Sequence, residues 1–134
     1  MSHAQTTNLQ FKLNTGSSIP GIGLGTWQSK PEEVREAVRF ALEKGYRHID
    51  TALNYQNEAE VGQGIKDSRV PRDKIWITTK LDNHWHHRVQ DGITSSLTSL
   101  GVDYVDLYLI VSRSKLAACE GCSDGTAPAF PVLD

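Results

Sequence analysis

The chain has 134 residues, of which 38% are hydrophobic and 22% charged, with a formal net charge of −2. That length supports one compact domain with a core of its own, and the composition lies far from that of disordered chains. The charge balance and a pI near 6.2 exclude a basic nucleic-acid footprint and a polybasic membrane patch, so neither nucleic acid nor membrane is expected as a partner. The opening Met1–Asn8 lacks a basic region followed by an apolar run, so no secretory signal is expected. No stretch approaches the roughly 18 apolar residues of a bilayer span, and a cytoplasmic location is expected.

In chain order, Phe11-Lys12-Leu13 and Ile19-Pro20 flank the turn residues Asn14-Thr15-Gly16-Ser17, which predicts a β-hairpin. Ile22 to Trp27 reads as a short, glycine-loosened strand. Ser29 with Glu32 suggests a capping box, and Pro31 suits a first helical turn. Val34, Val38, Ala41 and Leu42 then make one apolar stripe, and Gly45 is a natural stop, so the spacing predicts a helix over 30–44.

His48 to Ala52 reads as a second strand. Asn57 is placed to cap a helix from about Glu58, with Glu60 completing the box. Gly62 and Gly64 each cost about 1 kcal/mol inside a helix, so this helix needs tertiary support. Pro71 to Lys74 is a turn, and Ile75 to Thr79 a third strand. Val89, Ile93, Leu97 and Leu100 predict a third helix closed by Gly101. Tyr104 to Val111 is a near-continuous apolar run, as in a strand buried on both faces. Strands alternating with helices imply right-handed βαβ units and a parallel sheet. From Ser112 to Asp134 no period is sustained, and an irregular tail is expected over 111–134, after a folded unit over 1–110.

The polar residues beside the strands fall at one end. Gly25, Thr26 and Trp27 close the first strand, Asp50 the second, with Tyr55 just beyond, and Lys80 the third. In parallel α/β folds that carboxyl end holds the active site. Asp50 and Lys80 on neighbouring strands need each other, because either charge alone would carry a desolvation cost. A charged lysine beside Tyr55 favours its phenolate, which suits the phenol to general-acid work on a carbonyl oxygen. Taken singly, Asp50 reads as a turn residue, Tyr55 as a packing aromatic and Lys80 as a solvated strand end. The three together, with their neighbouring sequence, favour the chemical reading.

Those neighbours carry a resemblance. Leu13-Asn14-Thr15-Gly16, Ile19-Pro20 and Gly23-Leu24-Gly25-Thr26-Trp27 resemble the opening of an aldo-keto reductase. Gly45 to Ala52 resembles that family's second-strand signature, followed by Tyr55 and Asn57-Glu58-Ala59-Glu60-Val61-Gly62. Ile75 to Leu81 looks like its third strand, and Leu100 to Ile110 like its fourth. The likeness runs over residues 8–110 and is closest in flavour to the small-aldehyde and polyol reductases, of the glycerol dehydrogenase kind. It implies an α/β fold: an N-terminal β-hairpin and about four β/α units of a (β/α)8 TIM barrel, truncated, with an irregular C-terminal tail. It implies NADP(H)-dependent oxidoreduction of aldehydes, ketones or alcohols without a metal. Tyr55 would be the general acid, Lys80 and Asp50 its tuning partners. Gly25, Thr26, Trp27 and Asp50 would lie at the cofactor, and Trp27 would line the pocket of a small carbonyl or alcohol substrate.

The sequence departs from the family where its fourth strand ends. Val111 stands where the family has the histidine that completes a tetrad, and Ser112-Arg113-Ser114-Lys115 match nothing in it. The family's later strands, which hold most of its cofactor site, have no counterpart, so NADP rather than NAD follows from the resemblance alone. Four strands without the rest leave open edges, and self-association through them is expected, or a partly molten or insoluble chain. The abrupt switch suggests a truncated, unspliced or frameshifted product. Two readings follow: an active carbonyl reductase, and a catalytically inactive half-barrel that serves as an assembly partner.

Three weaker signals carry less. His84-Trp85-His86-His87 reads as a solvated helix N-terminus, since a helix favours ligands four apart. Cys119 and Cys122 form a CxxC in a tail with no helix behind it, so neither redox nor zinc chemistry is expected. Gly21 to Gly25 fails the dinucleotide fingerprint, because Thr26 holds its last place.

Overall fold

The computed structural model describes residues 9–110; the expected tail, Val111 and the CxxC pair lie outside them. β1 (Gln10–Lys12) and β2 (Ser18–Pro20) form an antiparallel hairpin with Phe11 opposite Ile19. Gly16, at φ 89°, takes the left-handed turn that a Cβ would resist.

Four parallel strands follow in the order β3 (Leu24–Gly25), β4 (His48–Asp50), β5 (Trp76–Leu81) and β6 (Leu107–Ile110). Between them run α1 (Pro31–Glu43), α2 (Glu58–Ser68) and α3 (Val89–Leu100). The expected βα rhythm is therefore present, and the strand order equals the chain order.

α1 buries Val34, Val38, Ala41 and Leu42, the stripe seen in the sequence. Its end is a paired-bond stop: Gly45 N–H donates to Leu42 O (3.1 Å) and Tyr46 N–H to Ala41 O (3.0 Å), with Gly45 at φ 102°. The capping box at its start does not form. Lys30 is the N-cap and no side chain caps it, because Ser29 is held in the preceding turn. Glu32 and Glu33 in the first turn still complement the helix dipole.

The glycines of α2 explain how a weak helix is supported. A Cβ on Gly62 would lie 2.1 Å from Leu100 O, and one on Gly64 would lie 2.5 Å from Arg35 O. α2 thus packs backbone-close on α3 and α1, and larger residues would push it off both. Asn57 occupies the N-cap position of α2 but makes no cap bond, contrary to the sequence expectation.

α3 corrects a second expectation. Of Val89, Ile93, Leu97 and Leu100, only Leu100 is buried, while Gly92 and Ser96 share its buried face. Gly92 fits against Leu81 and Trp85, so the helix presses its small residues on the sheet and leaves Val89 exposed. β6 corrects a third. Leu109 is 40% and Ile110 63% exposed, so this strand is not buried on both faces by the described residues. It pairs with β5 alone among them.

The core lies between sheet and helices: Ile49 and Ile77 meet Val34, Val38, Leu42 and Val61. The opposite, inner face carries the polar residues, because side chains alternate along a strand. Its lower layer is a directed hydrogen-bond chain. Pro20 O can only accept, so His48 Nδ1 carries the proton it donates there (3.2 Å). His48 Nε2 then accepts from the Thr78 hydroxyl (3.0 Å), which accepts from the Trp76 indole (3.2 Å). This chain ties the hairpin to the floor of the sheet. A second tie joins the loops below: Asp106 accepts from Arg72 (2.7 Å) and from Ile77 N–H (2.8 Å), and the Arg72 guanidinium lies 3.9 Å from the Tyr104 ring centroid. No helix among the described residues is long and apolar enough to cross a membrane.

Candidate active site

The strand register delivers the site. Gly25 pairs with Asp50, and Asp50 with Thr78, all on the inner face. Lys80 lies two residues beyond Thr78, hence on the same face and one pleat further toward the carboxyl end. Tyr55 comes from the short 3-10 turn Leu53–Tyr55 that follows β4, held by its N–H to Ala52 O (3.0 Å). Gln56 then takes φ 57°, a left-handed kink that ends the turn and leads into α2.

Lys80 is the hub. Its ammonium donates to Asp50 Oδ1, to Thr51 O (2.9 Å) and to the Tyr55 hydroxyl oxygen (3.1 Å). Each N–H of the ammonium thus has its own acceptor. The lysine side chain is 15% exposed and the Asp50 side chain 43%, so the pair sits at a rim, not in the interior. Burial opposes the charge on Lys80, but hydrogen bonds to Asp50 and Tyr55 outweigh it and hold its pKa above the ordinary lysine value. The ammonium is also 4.9 Å from the centre of the Tyr55 ring.

The other residues singled out in the sequence lie beside this hub. Thr26 is fully buried, and both its N–H (3.0 Å) and its hydroxyl (3.3 Å) donate to Asp50 O. Trp27 stands 67% exposed at the mouth. A Cβ built on Gly25 would meet nothing within 4 Å, so the strand end opens onto free space. Backbone at Gly25 is therefore open to the close approach of a flat ring.

Two neighbours escaped the sequence reading. Asn57, 1% exposed, donates from Nδ2 to Thr26 O (2.8 Å) and Ser29 O (3.2 Å). Its helix-capping signature hid this role, since the same residue type serves both. Glu58, 3% exposed, accepts from the Thr79 hydroxyl (2.5 Å). Burial pushes its pKa up against that hydrogen bond, and its Oε2 has no partner among the described residues.

The histidine cluster does not sit on a helix start. Asn83–Trp85 is a 3-10 turn, α3 begins only at Val89, and His84 Nδ1 lies 2.8 Å from Asp82 Oδ1. No group of His, Cys, Asp and Glu among the described residues is placed to hold a metal.

Comparison with known proteins extends this geometry. Residues 21–114 match the model of the aldo/keto reductase family. The chain is 59% identical over 106 residues to the glycerol 2-dehydrogenase (NADP(+)) of Saccharomyces cerevisiae, covering 79% of this chain and 34% of that protein. It is 48% identical over 100 residues to methylglyoxal reductase DkgA of Escherichia coli, covering 75% of this chain and 36% of that one. A crystal structure of a Bombyx mori aldo-keto reductase in complex with NADP superposes with a TM-score of 0.73 at 45% identity, over 76% of this chain and 37% of that one. The chain spans about a third of the length of these curated relatives.

Proposed function

The chain belongs to the aldo/keto reductase family, and from that premise we propose that it carries the proton-donating unit of an NADP(H)-dependent carbonyl reductase. In this reading Tyr55 is the general acid, Lys80 and Asp50 its charge-balancing partners, and Gly25, Thr26, Trp27 and Asp50 flank the cofactor. When bound, NADPH supplies the hydride, whose electron pair goes to the carbonyl carbon. The Tyr55 O–H bond breaks as a bond forms between that proton and the carbonyl oxygen. The Lys80 ammonium, 3.1 Å from the Tyr55 oxygen, offsets the negative charge left there, and Asp50 keeps that ammonium charged and aimed. The reverse sequence oxidises an alcohol through the same groups. Trp27, exposed at the mouth, would form the wall against a small aldehyde, ketone or polyol. The cytoplasm is the expected setting.

The observation that carries this reading is the lysine with every N–H donor occupied, two by Asp50 and Tyr55. The test is titration of the full chain with NADPH, followed by cofactor fluorescence, and then assay of a simple aldehyde. The reading expects saturable binding and turnover, with Tyr55→Phe losing about 10²–10⁴-fold in rate while retaining NADPH binding. Absence of binding at high NADPH would defeat it.

A second reading is favoured by the exposure of Leu109 (40%) and Ile110 (63%) on β6. Here the chain is inactive alone and pairs through the edges of β3 and β6 with another half-barrel, a second copy included. Sedimentation distinguishes the two: a monomer that turns over aldehyde excludes this reading, and an inactive dimer supports it.

A further inference from the structure

We infer that Asn57 is a positioning residue that clamps a strained turn, Thr26–Ser29, and thereby fixes Trp27 relative to Tyr55. The inference rests on reading the mouth as a carbonyl-reducing site.

The turn is defined by Ser29 N–H donating to Thr26 O at 3.3 Å. Gln28, third of its four residues, has φ 60°. Turns that need a positive φ at that place are filled by glycine or asparagine, and a residue with a long side chain there carries a steric cost that glycine escapes. Strain of this kind persists only where the surroundings over-determine the backbone. Thr26 is fixed to Asp50 O at the start of the turn, and a single side chain spans its two ends. The two hydrogens of the Asn57 amide reach the carbonyls at both ends of the turn, Thr26 O at 2.8 Å and Ser29 O at 3.2 Å.

The other end of the clamp leads to the phenol. Asn57 is two residues after Tyr55, separated by Gln56, itself at φ 57°. Thr26 in turn is anchored twice to Asp50 O. One amide therefore links the turn that displays Trp27, the turn that displays Tyr55 and the strand end of Asp50. A capping role would turn the Asn57 oxygen to the first N–H groups of α2, and no such bond is made. That oxygen is buried without a partner among the described residues, so the side chain is oriented for its donors.

Asn57→Asp keeps the size and sets an acceptor against two carbonyls. In the full chain at pH 7.5, amide exchange at Ser29 should quicken about tenfold or more, and NADPH affinity should fall about tenfold, as expected for one buried and one half-buried hydrogen bond. Adding Gln28→Gly relaxes the turn without the clamp and should restore most of that affinity. A merely structural asparagine would lower global stability and leave the second substitution without effect on affinity. Wild-type exchange and affinity in folded Asn57→Asp would overturn the inference, as would faster exchange with unchanged affinity. Should the variant fail to fold, the wild-type chain decides: slow exchange of the Asn57 side-chain amide protons supports the clamp, and exchange at the rate of an exposed amide overturns it. If the wild-type chain binds no NADPH, the reductase reading fails by itself, while Ser29 exchange still judges the clamp.

Discussion

Replacing Asp50 with asparagine removes one charge from the hub and leaves its shape. Lys80 then donates to a neutral amide oxygen in place of a carboxylate, while Thr51 O and the Tyr55 hydroxyl remain. The ammonium still donates a charge-assisted bond to the amide oxygen, so what is lost is the attraction between the two charges, up to about 1 kcal/mol for a pair at the surface. Solvent at the 43% exposed carboxylate keeps that loss within this range. With that partner's charge gone, the pKa of Lys80 should fall. Lysine labelled with 13C at Cε, titrated by NMR from pH 8 to 12 with Lys80→Met for assignment, reads this directly. Because the folded pKa of Lys80 is raised, its contribution to stability is full below the ordinary lysine value of about 10.4. It is lost as pH climbs through the folded pKa. The stability gap between the wild type and Asp50→Asn should therefore be flat from pH 7 to 9 and close above about pH 10.5. A Lys80 titration unchanged by the substitution would refute the pairing.

Three further outcomes follow from the packing. Gly62→Ala sets a Cβ against the Leu100 carbonyl and should cost about 3 kcal/mol or more in urea unfolding, far above the roughly 1 kcal/mol that alanine normally gains in a helix. Asp106→Asn weakens the bonds from Arg72 and Ile77 N–H and should cost about 1–2 kcal/mol, without altering the Lys80 titration. His48 is held below its ordinary pKa, burial being the main cause, against the Pro20 carbonyl and the charges of Asp50 and Asp106. The contribution of neutral His48 is thus present above about pH 6.5 and lost as pH falls through the lowered value. His48→Gln should flatten that acid limb in a stability–pH profile.

Much of the frame was legible because it rests on periodicity. The α1 stripe and the Gly45 stop appear in sequence as they do in space, and so does the parallel rhythm that brings Asp50 and Lys80 to one rim. Tyr55 was legible as a neighbour of that rim, though not the kinked residue, Gln56, that turns the chain into α2. What stayed hidden has physical reasons. The buried face of α3 is made of Gly92 and Ser96, and a count of apolar residues favours Val89 and Ile93 in their place. The apolar run of β6 reports what the strand is made of, not which neighbours cover it. Asn57 carries the same letters as a helix cap whether or not it caps. Its actual partners, the Thr26 and Ser29 carbonyls, lie on an element that the chain left some thirty residues earlier, and local pattern has no access to such a distance.

The two-residue alternation of β5 carries a consequence for how this chain tolerates change. Lys80 faces the rim only because it lies an even number of positions after Thr78 and Trp76. A single inserted or deleted residue between Trp76 and Lys80 would reverse the phase. The ammonium would then be driven among the aliphatic side chains beneath α2 and α3, and a deletion would set Leu81 in its place at the rim. The loops before and after the strand have no such parity, so length variation in relatives should be absent from this stretch and free to collect outside it.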